Sequence, residues 1–85
     1  MTREQILVLL IEECSEVIQA ATKCLRFGWD RDFPDYGVNH EVLAKELGDL
    51  LGAADALDLR QDLVTTFRKM KMSKAERANA MFGVS

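Results

Sequence analysis

The sequence lacks the features that mark several classes of protein. No apolar stretch approaches the roughly 18 residues of a membrane-spanning helix, and the amino terminus has no basic segment followed by an apolar run and a cleavage site. Acidic residues outnumber basic ones by 14 to 11, which gives a net charge of -3 and a pI near 5.0. Because nucleic-acid binding usually requires a basic face, we expect no nucleic acid among the partners. The missing apolar and export segments predict no membrane partner and a cytoplasmic location.

Cysteine and histidine are also scarce. The two cysteines, Cys14 and Cys24, stand ten residues apart in one predicted helix, too far apart to bridge each other. We therefore expect reduced thiols, as is usual in a cytosol. The single histidine, His40, has no Glu-x-x-His context, whereas a di-iron or di-manganese carboxylate protein typically needs two such units. That class is an alternative that the sequence disfavours.

A helical period dominates the rest of the chain and predicts a small all-α fold in one domain, residues 1–85. Thr2 and Gln5 have the capping-box spacing, and no glycine or proline follows until Gly28, so one long helix is predicted there. The Gly, Pro and aromatic residues that follow predict a loop without strands. The remaining predicted elements are a second helix capped by Asn39 and running to about Leu57, and two short helices capped by Asp58 with Gln61 and by Ser73 with Glu76, the last ending near Gly83.

The first helix carries a broad apolar stripe that one short chain has difficulty covering. A chain of 85 residues buries only about 60–65% of its unfolded surface. Gly48 and Gly52, spaced by four, add a smooth strip on the second helix that favours close approach of another helix. We therefore expect a helical bundle completed by self-association. The residues of the stripe, at spacings of three and four, are Leu7, Leu10, Ile11, Cys14, Val17, Ile18, Ala21 and Leu25.

Four carboxylates interrupt the apolar pattern of the two long helices. On a helical projection Glu13 and Glu16 align with apolar residues of the first helix, and Glu46 and Asp49 do so in the second. An unpaired buried carboxylate costs several kcal/mol, so such groups are protonated, paired or bound to metal. Oxygen ligands from two facing helices suit a hard divalent cation such as Mg²⁺.

Two plainer interpretations stand beside the metal site. Glu12 lies further toward the polar side and is a solvated helix residue or an outer partner of the other acids. The cations Lys23, Lys45 and Arg26 are too few and too poorly phased to neutralise all four carboxylates. A non-enzymatic oligomerisation module, whose buried acids only set helix register, is the alternative to an enzyme.

At these acids the chain resembles the MazG-like nucleoside triphosphate pyrophosphohydrolases, an all-α superfamily. The signature Glu-Glu-x-x-Glu followed by Glu-x-x-Asp reads here Glu12-Glu13-Cys14-Ser15-Glu16 and Glu46-Leu47-Gly48-Asp49. The surrounding segments EECSEVIQAATKCLRFG and KELGDLLGAADAL look like the short phage-encoded forms, including the guanine-directed MazZ type. The resemblance covers about the first two thirds of the chain. The 29 residues between Glu16 and Glu46 exceed the spacing expected of compact members, and this places base choice in question.

The resemblance implies a set of roles for these residues. Glu13, Glu16, Glu46 and Asp49 would ligate Mg²⁺, for which Mn²⁺ would substitute, and Glu12 or Glu13 would activate the attacking water. The reaction would convert a (deoxy)nucleoside triphosphate and water to the monophosphate and pyrophosphate, with purines, and guanine in particular, as the expected bases. A homodimer or homotetramer is implied.

Substrate-binding candidates lie outside the signature. Lys23 and Arg26 close the first helix, where cations either meet phosphate oxygens or simply complement the helix end. Lys71 and Lys74 belong to a basic carboxy-terminal cluster that supplies triphosphate contacts, also across a subunit boundary, or forms a solvated surface. Trp29 offers a stacking face for a base, and covering the end of the bundle is its alternative role.

Overall fold

A computed structural model describes residues 1–82 as three helices and one small hairpin. Helix α1 spans Arg3–Phe27, strands β1 and β2 span Asp32–Phe33 and Gly37–Val38, and helices α2 and α3 span Asn39–Asp55 and Gln61–Phe82. The prediction of a small all-α chain is confirmed, because helices make up most of the described residues. The predicted end of the last helix at Gly83 lies outside the described residues.

Helix α1 begins and ends where the sequence predicts. Gln5 N–H donates to the Thr2 hydroxyl at 3.1 Å, and Thr2 N–H donates to the Gln5 side chain at 2.7 Å, so the capping box is formed. At the other end Gly28 N–H donates to the carbonyl of Cys24 at 3.0 Å. Gly28 has a φ of 109°, a conformation that L side chains rarely adopt, and the chain leaves the helix there.

The loop after α1 was predicted to contain no strands. This prediction was wrong, because the loop forms one small hairpin. Strands β1 and β2 pair antiparallel, with Asp32 opposite Val38 and Phe33 opposite Gly37. Each strand has two residues, which is too short to show an alternating pattern in the sequence. The ring of Phe33 packs edge-on against Phe27 with centroids 5.6 Å apart, so the hairpin covers the end of α1.

Asn39 does not cap α2 as predicted, and instead ties the two long helices together. Val38 precedes the helix and makes no side-chain capping bond. The buried Asn39 amide donates to the carbonyl of Gly28 at 2.8 Å and to that of Lys23 at 3.2 Å. Gly28 caps the end of α1, so no helical N–H follows to pair its carbonyl, and Lys23 lies about one turn before it. The contact fixes the start of α2 beside the end of α1, so the two helices run antiparallel.

The two short carboxy-terminal helices are a single helix in the structure. Ser73 and Glu76, which have the spacing of a cap, lie within α3. Neither glycine nor proline occurs between Gln61 and Phe82, so the helix continues through the serine.

Helices α1 and α2 pack along each other, whereas α3 packs along neither of them within residues 1–82. The side chains of α3 from Gln61 to Met81 are all exposed. The chain has a radius of gyration of 15.4 Å, compared with about 12 Å for a compact domain of this length. No described helix is long and apolar enough to cross a membrane.

Much of the apolar surface is left uncovered by this arrangement. Only Ala20, Ala53, Leu57 and Asn39 are buried in the described chain. Most of the predicted stripe of α1 is exposed, and Ile11 and Ile18 are 68% and 65% exposed, whereas Leu10 and Val17 are half-buried. A Cβ added at Gly48 or Gly52 would meet nothing within 4 Å, so the glycine strip does not contact another described helix.

The solvent-accessible area of 7090 Å² exceeds the about 5,100 Å² expected of a compact monomer of 9.6 kDa. We therefore expect sedimentation velocity to show a dimer or larger species, with no substantial monomer, at micromolar concentration. Ile18→Glu places a charge in the exposed stripe and should shift the distribution toward smaller species. Gln19→Glu, one position outside the stripe, is the matched control and should sediment as the wild type. A wild-type monomer, or equal behaviour of the two variants, would show that the stripe is not an interface.

Candidate metal centre

Three of the four predicted carboxylates meet where α1 packs against α2. Glu13 comes from α1, and Glu46 and Asp49 come from successive turns of α2. Each offers one oxygen, and the three oxygens lie within 4.8 Å of one another. The face of α1 that carries Glu13 also carries the buried Ala20, so the packing that buries this face brings the acids together.

Burial differs among the acids. The Glu46 side chain is only 15% exposed and Glu13 is half-buried, whereas Asp49 opens to solvent. Glu16 and Glu12 are exposed, and neither belongs to the group of three. Glu16 lies one turn further along α1, close enough to influence Glu13 electrostatically. Glu12 keeps its side chain on the flank of α1, as expected of an accessory acid or a solvated one.

Lys45 forms an ion pair with the acids of the cluster, which the phasing of charges in the sequence did not predict. Its Nζ donates to Asp49 Oδ2 at 2.8 Å and lies 3.5 Å from Glu46 Oε1. The Lys45–Asp49 pair has the i,i+4 spacing of a helical ion pair, which is a signal visible in the sequence. The hydrogen bond to Asp49 raises the pKa of Lys45, so this lysine stays charged.

Negative charge nevertheless remains in excess at the cluster. Three carboxylates and one ammonium leave two negative charges, which equals the charge of one divalent cation. Partial desolvation, followed by the neighbouring carboxylates of Asp49, Glu46 and Glu16, raises the pKa of Glu13 against the opposing effect of Lys45. A raised carboxyl pKa means that ionising Glu13 costs more in the folded chain than in the unfolded one. The penalty appears as the pH rises above the ordinary carboxyl range.

The three oxygens are near enough for one hard cation to contact them all after the side chains move inward. Oxygens bound to one octahedral Mg²⁺ lie about 2.9 Å apart in adjacent positions and about 4.2 Å apart in opposite ones, from bond lengths of 2.0–2.1 Å. The three oxygens lie within 4.8 Å of one another, so adjacent ligands would approach each other by up to about 1.9 Å on binding. All three donors are carboxylate oxygens, which hard divalent cations prefer.

The remaining predicted site residues lie away from this cluster. Lys23 is ten residues past Glu13 on α1, about 15 Å along the axis, and its Nζ lies 4.9 Å from the centre of the Tyr36 ring. The Arg26 guanidinium stands 5.1 Å from the Phe27 ring. Lys71 and Lys74 are exposed on α3, and one surface depression is shared by them with Phe67 and Met70.

Trp29 lies in the loop after α1 and is 58% exposed. One face of its ring stacks on His40 with centroids 5.4 Å apart and planes inclined by 9°. His40 Nδ1 is 3.0 Å from the carbonyl oxygen of Trp29, which holds the pair at the start of α2. Nothing in the spacing of the sequence predicts this stacking, because the two residues come from a loop and a helix start.

Comparison of the chain with known protein families, curated proteins and solved structures returns no match.

If the cluster binds a divalent cation, the cation should raise the melting temperature. A ligand at about 100 times its Kd stabilises by about 2.7 kcal/mol, which corresponds to roughly 15 °C for a domain of this size. The rise with Mg²⁺ or Mn²⁺ should shrink as the pH falls into the carboxyl range, because protons then compete with the metal for the carboxylates. The raised pKa of Glu13 means that this loss begins at a higher pH than it would for an ordinary carboxyl. Glu46→Gln should melt at or above the wild-type temperature without metal, since one crowded charge is removed, and should lose most of the rise.

Glu41→Gln is the matched control for this experiment. Glu41 lies in the first turn of the same helix, is exposed and is outside the cluster. This variant should keep the metal-dependent rise. If Glu46→Gln responds to metal as strongly as Glu41→Gln, the cluster is not the binding site.

Proposed function

We propose that this protein is a divalent-metal-dependent nucleoside triphosphate pyrophosphohydrolase, converting a (deoxy)nucleoside triphosphate and water to the monophosphate and pyrophosphate. The observation that carries the proposal is the convergence of Glu13, Glu46 and Asp49 from two helices, with two negative charges in excess. These are three of the acids of the Glu-Glu-x-x-Glu and Glu-x-x-Asp signature. The resemblance to the MazG-like hydrolases supplies the reaction.

The three acids would hold Mg²⁺, which when bound would acidify a water and neutralise charge on the α- and β-phosphates. Lys45 bonds to Oδ2 of Asp49, so the other oxygen of this carboxylate is available for ligation. A cation bound there would repel the nearby ammonium, and Lys45 would then be free to contact a phosphate oxygen. Glu16, one turn from Glu13, completes the ligand set of the signature, and Glu12 is the accessory acid.

The attacking water needs a base, and the acid that ligation does not fully occupy is proposed for this role. Glu13 or Glu12 takes the proton of the attacking water. The water oxygen bonds to the α-phosphorus as the bond from that phosphorus to the bridging oxygen breaks, and pyrophosphate leaves.

The nucleoside is proposed to extend from the acids toward the start of α2. His40 is six residues before Glu46, about 9 Å along the helix axis, a distance that a nucleotide bridges. The open face of Trp29 beyond His40 then stacks on the base. Lys23 and Arg26 lie at the same end of the molecule. A purine offers the larger stacking area, so purine nucleotides, with guanine favoured by the resemblance, are the proposed substrates.

The proposed active form is a homodimer or homotetramer. The exposed stripe of α1 and the exposed Leu47 and Leu51 of α2 form an apolar surface that a second copy would cover. The same surface favours the alternative function, a non-enzymatic oligomerisation module. A module would associate without responding to metal, so the metal-dependent melting shift separates the two functions.

The proposed activity is tested by measuring pyrophosphate release with Mg²⁺ over the eight common ribo- and deoxyribonucleoside triphosphates. We expect turnover that requires the metal and is faster with purines. Glu46→Gln should lower turnover at least about 100-fold, because its amide keeps the volume but is not a charged ligand. Glu41→Gln should turn over at the wild-type rate. Release of orthophosphate in place of pyrophosphate, or full activity of Glu46→Gln, would contradict the proposed reaction.

A further inference from the structure

Charge is divided unequally along this chain. Residues 1–60 carry six Lys and Arg against twelve Asp and Glu, a net charge of -6. Residues 61–85 carry five against two, a net charge of +3. Helix α3, which packs along neither of the other helices, is therefore a basic element attached to an acidic pair.

The apolar and basic residues of α3 share one side of the helix. At 100° per residue, Leu63, Phe67, Met70 and Lys74 fall within an arc of about 60°, and Lys71 lies beside it. Phe67 and Met70 are 61% and 59% exposed, so this side lacks a partner in the described chain. From the amino to the carboxy end of this side of α3, apolar residues come first and basic residues follow.

The acid-bearing edge of α1 is the side that carries Val8, Glu12 and Glu16. Along it, as along α3, apolar residues come first and charged residues follow. A surface depression lined by Met1, Gln5, Val8, Leu9 and Glu12 opens at its start. Glu12 and Glu16 follow at four and eight residues after Val8, and Lys71 and Lys74 follow at four and seven residues after Phe67. If α3 lies parallel to α1 with Phe67 against Val8, the two lysines stand beside the two glutamates.

We propose that α3 docks on the acid-bearing edge of the α1–α2 pair of a second copy, and that each active site is completed by Lys71 and Lys74 of the partner. The uncovered area supports a second copy as the occupant. The excess of about 2,000 Å² per chain over a compact monomer amounts to about 4,000 Å² for a pair, which lies in the range of permanent homodimers. The role of the lysines in phosphate binding rests on the proposed hydrolase function, whereas the docking does not.

Disulfide trapping tests the docking without any need for activity. In the full chain with Cys14 and Cys24 replaced by alanine, Val8→Cys with Phe67→Cys should oxidise to a covalent dimer, because bridged Cα atoms lie within about 7 Å. Glu12→Cys with Lys71→Cys tests the same register one turn along. Val8→Cys with Met72→Cys is the control, since Met72 is equally exposed but lies on the opposite side of α3.

Each outcome decides the proposal. Covalent dimer from both test pairs, with at least about tenfold less from the control, supports docking on a second copy. An internal disulfide in a monomer means that α3 folds back on its own chain, and overturns the proposed occupant. Equal cross-linking of the control, or none from either test pair, overturns the docking.

Mixed subunits test the composite site. Glu46→Gln and the double variant Lys71→Ala/Lys74→Ala should each be inactive alone. Refolded together in equal amounts, they should recover about a quarter of wild-type turnover, because half of the dimers then hold one intact site of two. No recovery, with wild-type protein active and the disulfide trapped, would overturn the composite site and leave the docking in place. Absence of activity in the wild type would reject the proposed function alone.

Discussion

Repulsion among three carboxylates at one helix–helix contact is the constraint on which the rest of this structure depends. Desolvation, followed by the neighbouring carboxylates of Asp49 and Glu46, raises the pKa of Glu13, so its charged form is less stable here than in water. Lys45 offsets part of the repulsion, but its side chain is mostly exposed, and a pair between exposed charges contributes little. The α1–α2 contact therefore keeps an unfavourable charge cluster that a divalent cation would relieve.

The small core explains how the acids are held in this position. Ala20 and Ala53 are buried and lack bulk, so the two helices can approach closely around the cluster. The amide of Asn39 fixes the other end by bonding to the end of α1. The pair is thus aligned by one polar contact and a few small side chains. Its larger apolar surfaces face outward, where another copy of the chain is expected.

The sequence predicts those features that depend on local chemistry. The capping box and Gly28 set the limits of α1. The out-of-phase acids predict one group of four, of which the structure brings Glu13, Glu46 and Asp49 together and leaves Glu16 outside. What it could not predict depends on contacts distant along the chain. The Trp29–His40 stack and the bonds of Asn39 join α1's end to α2's start, and each residue has several common roles when considered alone. The capping pattern at Ser73 predicted the start of a new helix, and this prediction was wrong. A serine within a glycine-free segment does not end a helix.

The most direct test of the central claim is diffraction from crystals grown with Mn²⁺, recorded at an X-ray energy where manganese scatters anomalously. The account predicts an anomalous peak bonded to carboxylate oxygens of Glu13, Glu46 and Asp49, with the Lys45 ammonium moved away from Asp49. Saturating Mn²⁺ with no peak at the cluster, and with Lys45 still bonded to Asp49, would contradict it.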